Sequence, residues 1–335
     1  MTRATITRAI SVSAAGAGTT LSAAAASLAA GQCVKLATLG ASGAFSGADV
    51  TGNGDQIIQW GNTGWYDATS KRAGWIGKRA SVAQYWHLSY DEAANQWSMS
   101  VPSWSGSSES GHGYDHSAHD PATGTVYHRK YNDPAVKVRS AAGTWSTLPN
   151  MGSAEVVGGL AWFPGVGLIY CDGRSVQRYN GSAWSTIHSL GGDSYHDVAE
   201  YNATANVVIL GGGNSSPLRK LTSGLALSTI ASPPFAIGAA KTQGVLVADP
   251  GSNKMLAYNK NSGAFAQYDI AGNSWASLSR SSGSGASPQT GLPPLAADVE
   301  QSVIAIQIAA YNVTMWLQYR GSGSTPMDIW LYKHS

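Results

Sequence analysis

Short runs of alternating apolar and polar residues fill most of the chain, each closed by turn-forming residues. Val136-Lys137-Val138-Arg139, Leu218-Arg219-Lys220-Leu221 and Ala266-Gln267-Tyr268-Asp269 keep the two-residue period of half-buried strands. Val207-Val208-Ile209-Leu210 and Gly244 to Ala248 also read as strands, bounded by Gly, Asn, Asp and Pro. No long stretch sustains a 3.6-residue apolar period. The pattern predicts an all-β protein.

One phrase recurs after each group of strands. It reads Gly143-Thr144-Trp145-Ser146-Thr147-Leu148, then Ser182-Ala183-Trp184-Ser185-Thr186-Ile187, then Asn273-Ser274-Trp275-Ala276-Ser277-Leu278. Asn95-Gln96-Trp97-Ser98-Met99 is a further copy, while Leu227 and Cys33 take the Trp slot in two more. Copies roughly 40 to 50 residues apart have the spacing of propeller blades or other stacked repeats. The first unit is expected to start at Gln56 to Trp60, with Tyr66 to Ser70 as its first turn. The last unit, from Gln301 to Tyr332, ends one strand short, and Cys33 to Leu39 is a lone strand without a unit. Joining the two closes a ring and removes an exposed sheet edge. The expected fold is a six-bladed β-propeller over residues 31–335, its last blade closed by the N-terminal strand near Cys33.

Residues 1–30 precede the ring as an Ala/Ser-rich arm. Ile6 to Val12 alternates as a strand would, but the arm has little of its own to bury and is expected to dock on a neighbour. Its most apolar part, Ala23 to Ala30, contains Ser27 and a single leucine, a poor core for an export signal. No stretch approaches the ~20 apolar residues of a membrane span. Charged residues make up 12% of the chain and the net charge is +2, so no nucleic-acid footprint is visible. Cys33 and Cys171 fall on nearly opposite blades and are expected to be separate buried thiols.

The pairs Tyr90-Asp91, Tyr179-Asn180 and Tyr268-Asp269, each shortly before a Trp, resemble kelch and galactose-oxidase-type β-propellers. Gly211-Gly212-Gly213 resembles the glycine run that ends the second strand of a kelch blade. The chain is also similar to propeller proteins of tailed phages and bacteria. Galactose oxidase resemblance implies a Tyr–Cys crosslink and a further C-terminal domain, and the chain ends at its last blade.

The densest polar cluster is Gly111 to His119, at the start of the second blade's inner strand, and it matches Ser194 to Glu200 in the fourth. Aligning the following turns sets Tyr114 opposite His196 and Asp115 opposite Asp197. Tyr114, His116, Tyr195 and His196 are therefore the catalytic candidates. His112, Asp115, Asp197, Trp65, Trp104 and Arg129 are the ligand-binding candidates. A metal is not expected, because His112 and His116 on a strand lie about 13 Å apart. No cofactor is implied. The alternative use of the same groups is hydrogen bonding across the channel to pin blades together.

Trp97, Trp145, Trp184 and Trp275 read as inter-blade packing, and Glu92, Asp120 and Asp249 as turn formers. The long Gly/Ser-rich connections Pro102 to Gly111, Asn150 to Ala154, Leu190 to Ser194 and Ser279 to Pro294 share one face and form an expected ligand-facing rim. The expected function is a non-enzymatic interaction module of a virion or extracellular surface. It would bind a glycan receptor or a protein partner, with residues 1–30 gripping a protein assembly. The alternative is a polysaccharide lyase using the Tyr/His groups at the channel mouth.

Overall fold

The computed structural model describes residues 19–38, 57–58, 60–79, 83–152, 157–192, 195–214, 216–240, 242–283, 287–296, 302–319 and 327–334. The alternating stretch Ile6 to Val12 lies outside them, as do residues 1–18 as a whole.

Six antiparallel sheets stand around one axis, and five of them are four-stranded in chain order. Blade 1 runs from its inner strand Trp65–Asp67 through Arg72–Arg79 and Gln84–Asp91 to Gln96–Ser100. Blade 2 comprises Ser117–Asp120, Thr125–Arg129, Val136–Arg139 and Trp145–Thr147. The inner strands of blades 3, 4 and 5 are Gly159–Phe163, Val198–Asn202 and Gly244–Ala248. Blade 6 holds Val303–Ile308, Val313–Tyr319 and Met327–Lys333, and Gln32–Lys35 pairs antiparallel with the last of these. The ring closes as expected, with the N-terminal strand as the fourth strand of the last blade. Gln289–Thr290 adds a fifth strand outside it, so part of the Ser279 to Pro294 connection edges a sheet rather than only forming a rim.

The recurring phrase has a physical reason. Tyr on the third strand faces Trp on the fourth, in the pairs Tyr90–Trp97, Tyr179–Trp184 and Tyr268–Trp275, with ring centroids 5.2, 5.5 and 5.0 Å apart. Blade 6 sets Tyr332 against Cys33 in the same slot, and blade 4 sets Leu221 against Leu227. The turn between these strands passes through a left-handed residue, Asn95 at φ 48° or Asn273 at φ 47°, whose amide oxygen accepts from the Tyr hydroxyl. Trp184 and Trp275 then donate their indole N–H to Pro149 and Ala231, just beyond the outer strand of the preceding blade. Those contacts join blade to blade.

One expectation needs correction, and two features were not foreseen. The inner strand of blade 1 is Trp65–Asp67, not Gln56 to Trp60, and Trp60 sits at φ 57°, a left-handed geometry that interrupts a strand. Glu92 lies in its turn as expected, its O accepting from Asn95 N–H at 3.2 Å, but its buried carboxylate also accepts from the Tyr66 and Tyr311 hydroxyls at 2.6 and 2.7 Å, bridging blades 1 and 6. A short helix, Leu21–Ser27, was not foreseen, and Thr20 caps its N-terminus through Ala23 N–H. Its Leu21, Ala24 and Ala25, with Leu28 beyond it, join the core of blades 6 and 1. From Leu21 onward the N-terminal segment is thus packed on its own propeller.

Candidate functional site

The channel is filled in layers. At the end where inner strands begin, the rings of Trp60, His112, Tyr114 and His196 pack on one another. Trp60 stacks on His112 at 5.1 Å and lies 5.3 Å from His196, which is 5.7 Å from Tyr114. Tyr114 and His196, matched by the repeat, both take left-handed backbone, φ 49° and 73°. That shared geometry turns each side chain over the axis as its strand begins. Tyr131 covers Tyr114 from the side at 5.9 Å, leaving Tyr114 only 5% exposed. Tyr195, by contrast, is 44% exposed beside His196 and faces solvent.

His196 has a defined tautomer. Gln243 Nε2 donates to Gly213 O at 2.7 Å and to Asn214 Oδ1 at 3.2 Å, which fixes that atom as oxygen. His196 Nδ1, 3.3 Å from the same oxygen, must therefore carry the proton, and Nε2 keeps its lone pair. Burial lowers the His196 pKa, the Asn214 contact opposes that, and Lys260 lowers it further, so the ring is neutral. His116 is different: it is fully enclosed, and its Nε2 accepts from Gly158 N–H at 3.2 Å. Burial pulls its pKa well down, with Arg129 and His128 adding to the shift.

Beneath the aromatic layer lies a polar crossbar. Asp115 on blade 2 accepts from Ala199 N–H of blade 4 at 2.7 Å and from Asn62 Nδ2 at 3.2 Å. Asn62, preceding blade 1, also donates to Leu246 O and accepts from Leu246 N–H of blade 5 at 3.0 and 2.8 Å. The Thr63 hydroxyl oxygen lies 3.1 Å from Asp115 Oδ1 and 2.5 Å from Glu200 Oε1. A hydroxyl carries one proton, so the second of these contacts requires a proton on a carboxyl group. Burial and then the Asp115 charge push Glu200 well above the carboxylate range, and burial lifts Asp115 to about 7. Glu200 therefore holds the proton. Lys260, buried nearby, donates to Gly61 O at 2.6 Å, and burial draws its amine down to about 7 against the pull of Asp115.

Below the crossbar the channel opens as a cavity of about 240 Å³ toward the first hairpin turns, where Ala68, Pro121 and Ala203 stand. Its walls include Trp162, Tyr201, His119 and Gln307.

The structure brings Tyr114, His112, His116, Asp115 and His196 together. Asp197 lies beside them, fully buried and taking a thiol contact from Cys171 at 3.6 Å. The remaining candidates stand apart. Trp65 stacks on His87 at 5.6 Å, and Trp104 stacks on His128 at 5.6 Å and meets Trp145 edge-on, so both pack between blades 1 and 2. Arg129 is fully buried, its guanidinium donating to the Tyr170 hydroxyl at 3.3 Å and lying over that ring. Neither Thr63 nor Glu200 stood out in the sequence, although Glu200 ends the matched Ser194 to Glu200 segment. Among the described residues no group of three His, Cys, Asp or Glu is placed to hold a metal ion, and no helix is long and apolar enough to cross a membrane.

Fold and channel define a six-bladed β-propeller. No protein-family model matches the chain, and no curated protein matches its sequence. Solved propellers are similar in fold alone. Virginiamycin B lyase from Staphylococcus aureus aligns at TM-score 0.51 and 8% identity, over 82% of this chain and 96% of its own. A protein of unknown function from Bacteroides thetaiotaomicron aligns at TM-score 0.49 and 12% identity, over 81% and 72%. A chain of a nidogen/laminin complex aligns at 0.47 and 11%, over 64% and 77%.

Proposed function

We propose that the protein is a non-catalytic interaction module, a phage virion or cell-surface component whose inter-blade face binds a glycan or a protein partner. Packing at the mouth carries this reading. Trp60, His112, Tyr114 and His196 fill the channel with one another, and His116 is enclosed beneath them. Tyr114 is almost wholly buried and His116 is fully enclosed, whereas Tyr195 stands at the surface beside His196. Kinship with kelch-type propellers belongs to the same proposal, supported by the Tyr–Asn–Trp hairpins of blades 1 and 5. Residues 1–30 would link the module to its assembly, residues 1–18 supplying the grip, since the segment from Leu21 is packed on the propeller.

One observation favours the enzyme reading. His196 presents a lone-pair Nε2 beside Tyr114, the pairing that proton abstraction in a polysaccharide lyase needs. A single experiment separates the two readings. The protein is incubated with a panel of acidic and neutral bacterial polysaccharides and resolved by size exclusion. We expect it to co-elute with a polymer of unchanged length. A shortened polymer overturns the non-catalytic reading, and loss of shortening in His196→Ala then assigns the base.

A further inference from the structure

Blade 2 breaks the repeat at one position. Where blades 1, 3, 5 and 6 place Tyr90, Tyr179, Tyr268 and Tyr332 on the third strand, blade 2 places Arg139, opposite Trp145. Its guanidinium reaches into a cleft between blades 1 and 2, a cavity of about 310 Å³ that also holds Arg72, His87 and Ser89. A second cavity of about 470 Å³ shares His87 and Arg139 and continues past Ser100, Ser103 and Thr144 to Trp145. Together they form a hydroxyl-lined groove between blades 1 and 2, with Arg139 common to both parts and Arg72 on the wall of the first.

Among the described residues no carboxylate pairs with Arg139. Burial and then Arg72 lower its pKa, and no acidic group offsets them. Arg72 has one exposed partner, Asp91, at 2.8 Å. Asp67 also stands on the wall, but its oxygens are taken by Thr69 N–H and the Ser70 hydroxyl of its own turn. His87, stacked on Trp65, is held neutral with a pKa lowered to about 4 by burial, then by Arg139 and Arg72. Arg139 is thus a half-buried guanidinium without a carboxylate partner among the described residues, and an anion held between it and Arg72 on the same wall would offset the cost of its burial. Guanidinium pairs take carboxylate and sulfate oxygens through two parallel N–H donors each, which a lysine cannot do.

We propose that this groove is an oxyanion-binding site, centred on Arg139 and Arg72, for the carboxylate or sulfate groups of an acidic saccharide. The choice of saccharide rests on the glycan-binding form of the function above, and the two can fail separately. Binding of an oligoglucuronate, of a neutral oligosaccharide of equal length and of inorganic sulfate is measured by titration calorimetry. Each is run with wild type and with Arg139→Tyr, which places there the residue of blades 1, 3, 5 and 6 and so preserves folding, checked by melting temperature.

Wild type is expected to bind oligoglucuronate at least about tenfold more tightly than the neutral chain, an advantage that shrinks as salt rises and is lost in Arg139→Tyr. Equal binding of oligoglucuronate by wild type and Arg139→Tyr overturns the groove assignment while leaving glycan binding intact. Sulfate binding that requires Arg139, with no saccharide bound, upholds the oxyanion site and overturns its assignment to saccharides. No binding of any probe by wild type overturns both.

Discussion

Glu200 holds a proton against the Thr63 hydroxyl, which donates in turn to Asp115, and that has a consequence for pH. An acid with a raised folded-state pKa holds its proton more tightly in the fold than in the unfolded chain. Its stabilising share is therefore full below the ordinary carboxylate value and is lost as pH rises through the folded value. For Asp115 that window runs from 3.8 to about 7, and Glu200 shifts in the same direction. His87 and His128, lowered to about 4 and about 3, act oppositely between those values and 6.5, so the whole-protein profile mixes both. The difference between variants isolates the pair. Gln at position 200 can donate an amide N–H to Thr63 Oγ1 at any pH. Glu200→Gln should match wild type near pH 4 and melt higher by about 2 °C or more near pH 8. Parallel melting curves for the two proteins across that range would refute the proton on Glu200.

Elements of this fold were legible to different degrees, for physical reasons. Outer strands were readable because one packing slot repeats: a Trp that must reach the preceding blade imposes its neighbours, as Tyr268, Asn273 and Trp275 show. The inner strand of blade 1 was not readable, since Tyr66 and Asp67 resemble the turn they in fact precede, and the left-handed Trp60 is invisible in composition. Tyr114 and His196 were legible as a pair because blades 2 and 4 share a register. Thr63 and Glu200 were not, because their contact crosses the ring between opposite blades and has no trace in local sequence. The helix Leu21–Ser27 was hidden by its length, seven residues being too few to display a period. Its burial nevertheless predicts a large effect. Leu21 is fully enclosed in the core of blades 6 and 1, so Leu21→Ala should cost about 2–5 kcal/mol. Urea unfolding with an unchanged slope would measure it, and a cost under about 0.5 kcal/mol would mean the segment is not part of the folded unit.

At the scale of the whole molecule, two devices hold the ring. Closure through Gln32–Lys35 joins first residues to last, while the crossbar ties blades across the axis, independently of their order in the chain. Asn62 links the start of blade 1 to blade 5 through two backbone contacts with Leu246 and reaches Asp115 of blade 2, which in turn holds Ala199 of blade 4. Both residues are buried, so removing either leaves backbone and side-chain groups unsatisfied. Asn62→Ala and Asp115→Ala should each cost about 2–4 kcal/mol. Once one is gone, the groups that the other satisfied across the axis are already loosened. The double variant should therefore be less destabilised than the sum of the singles, by about 1–2 kcal/mol. Chemical denaturation of the four proteins completes the cycle. Costs that add to within about 0.5 kcal/mol would show that the two contacts act separately, leaving closure by the N-terminal strand to hold the ring without an axial tie.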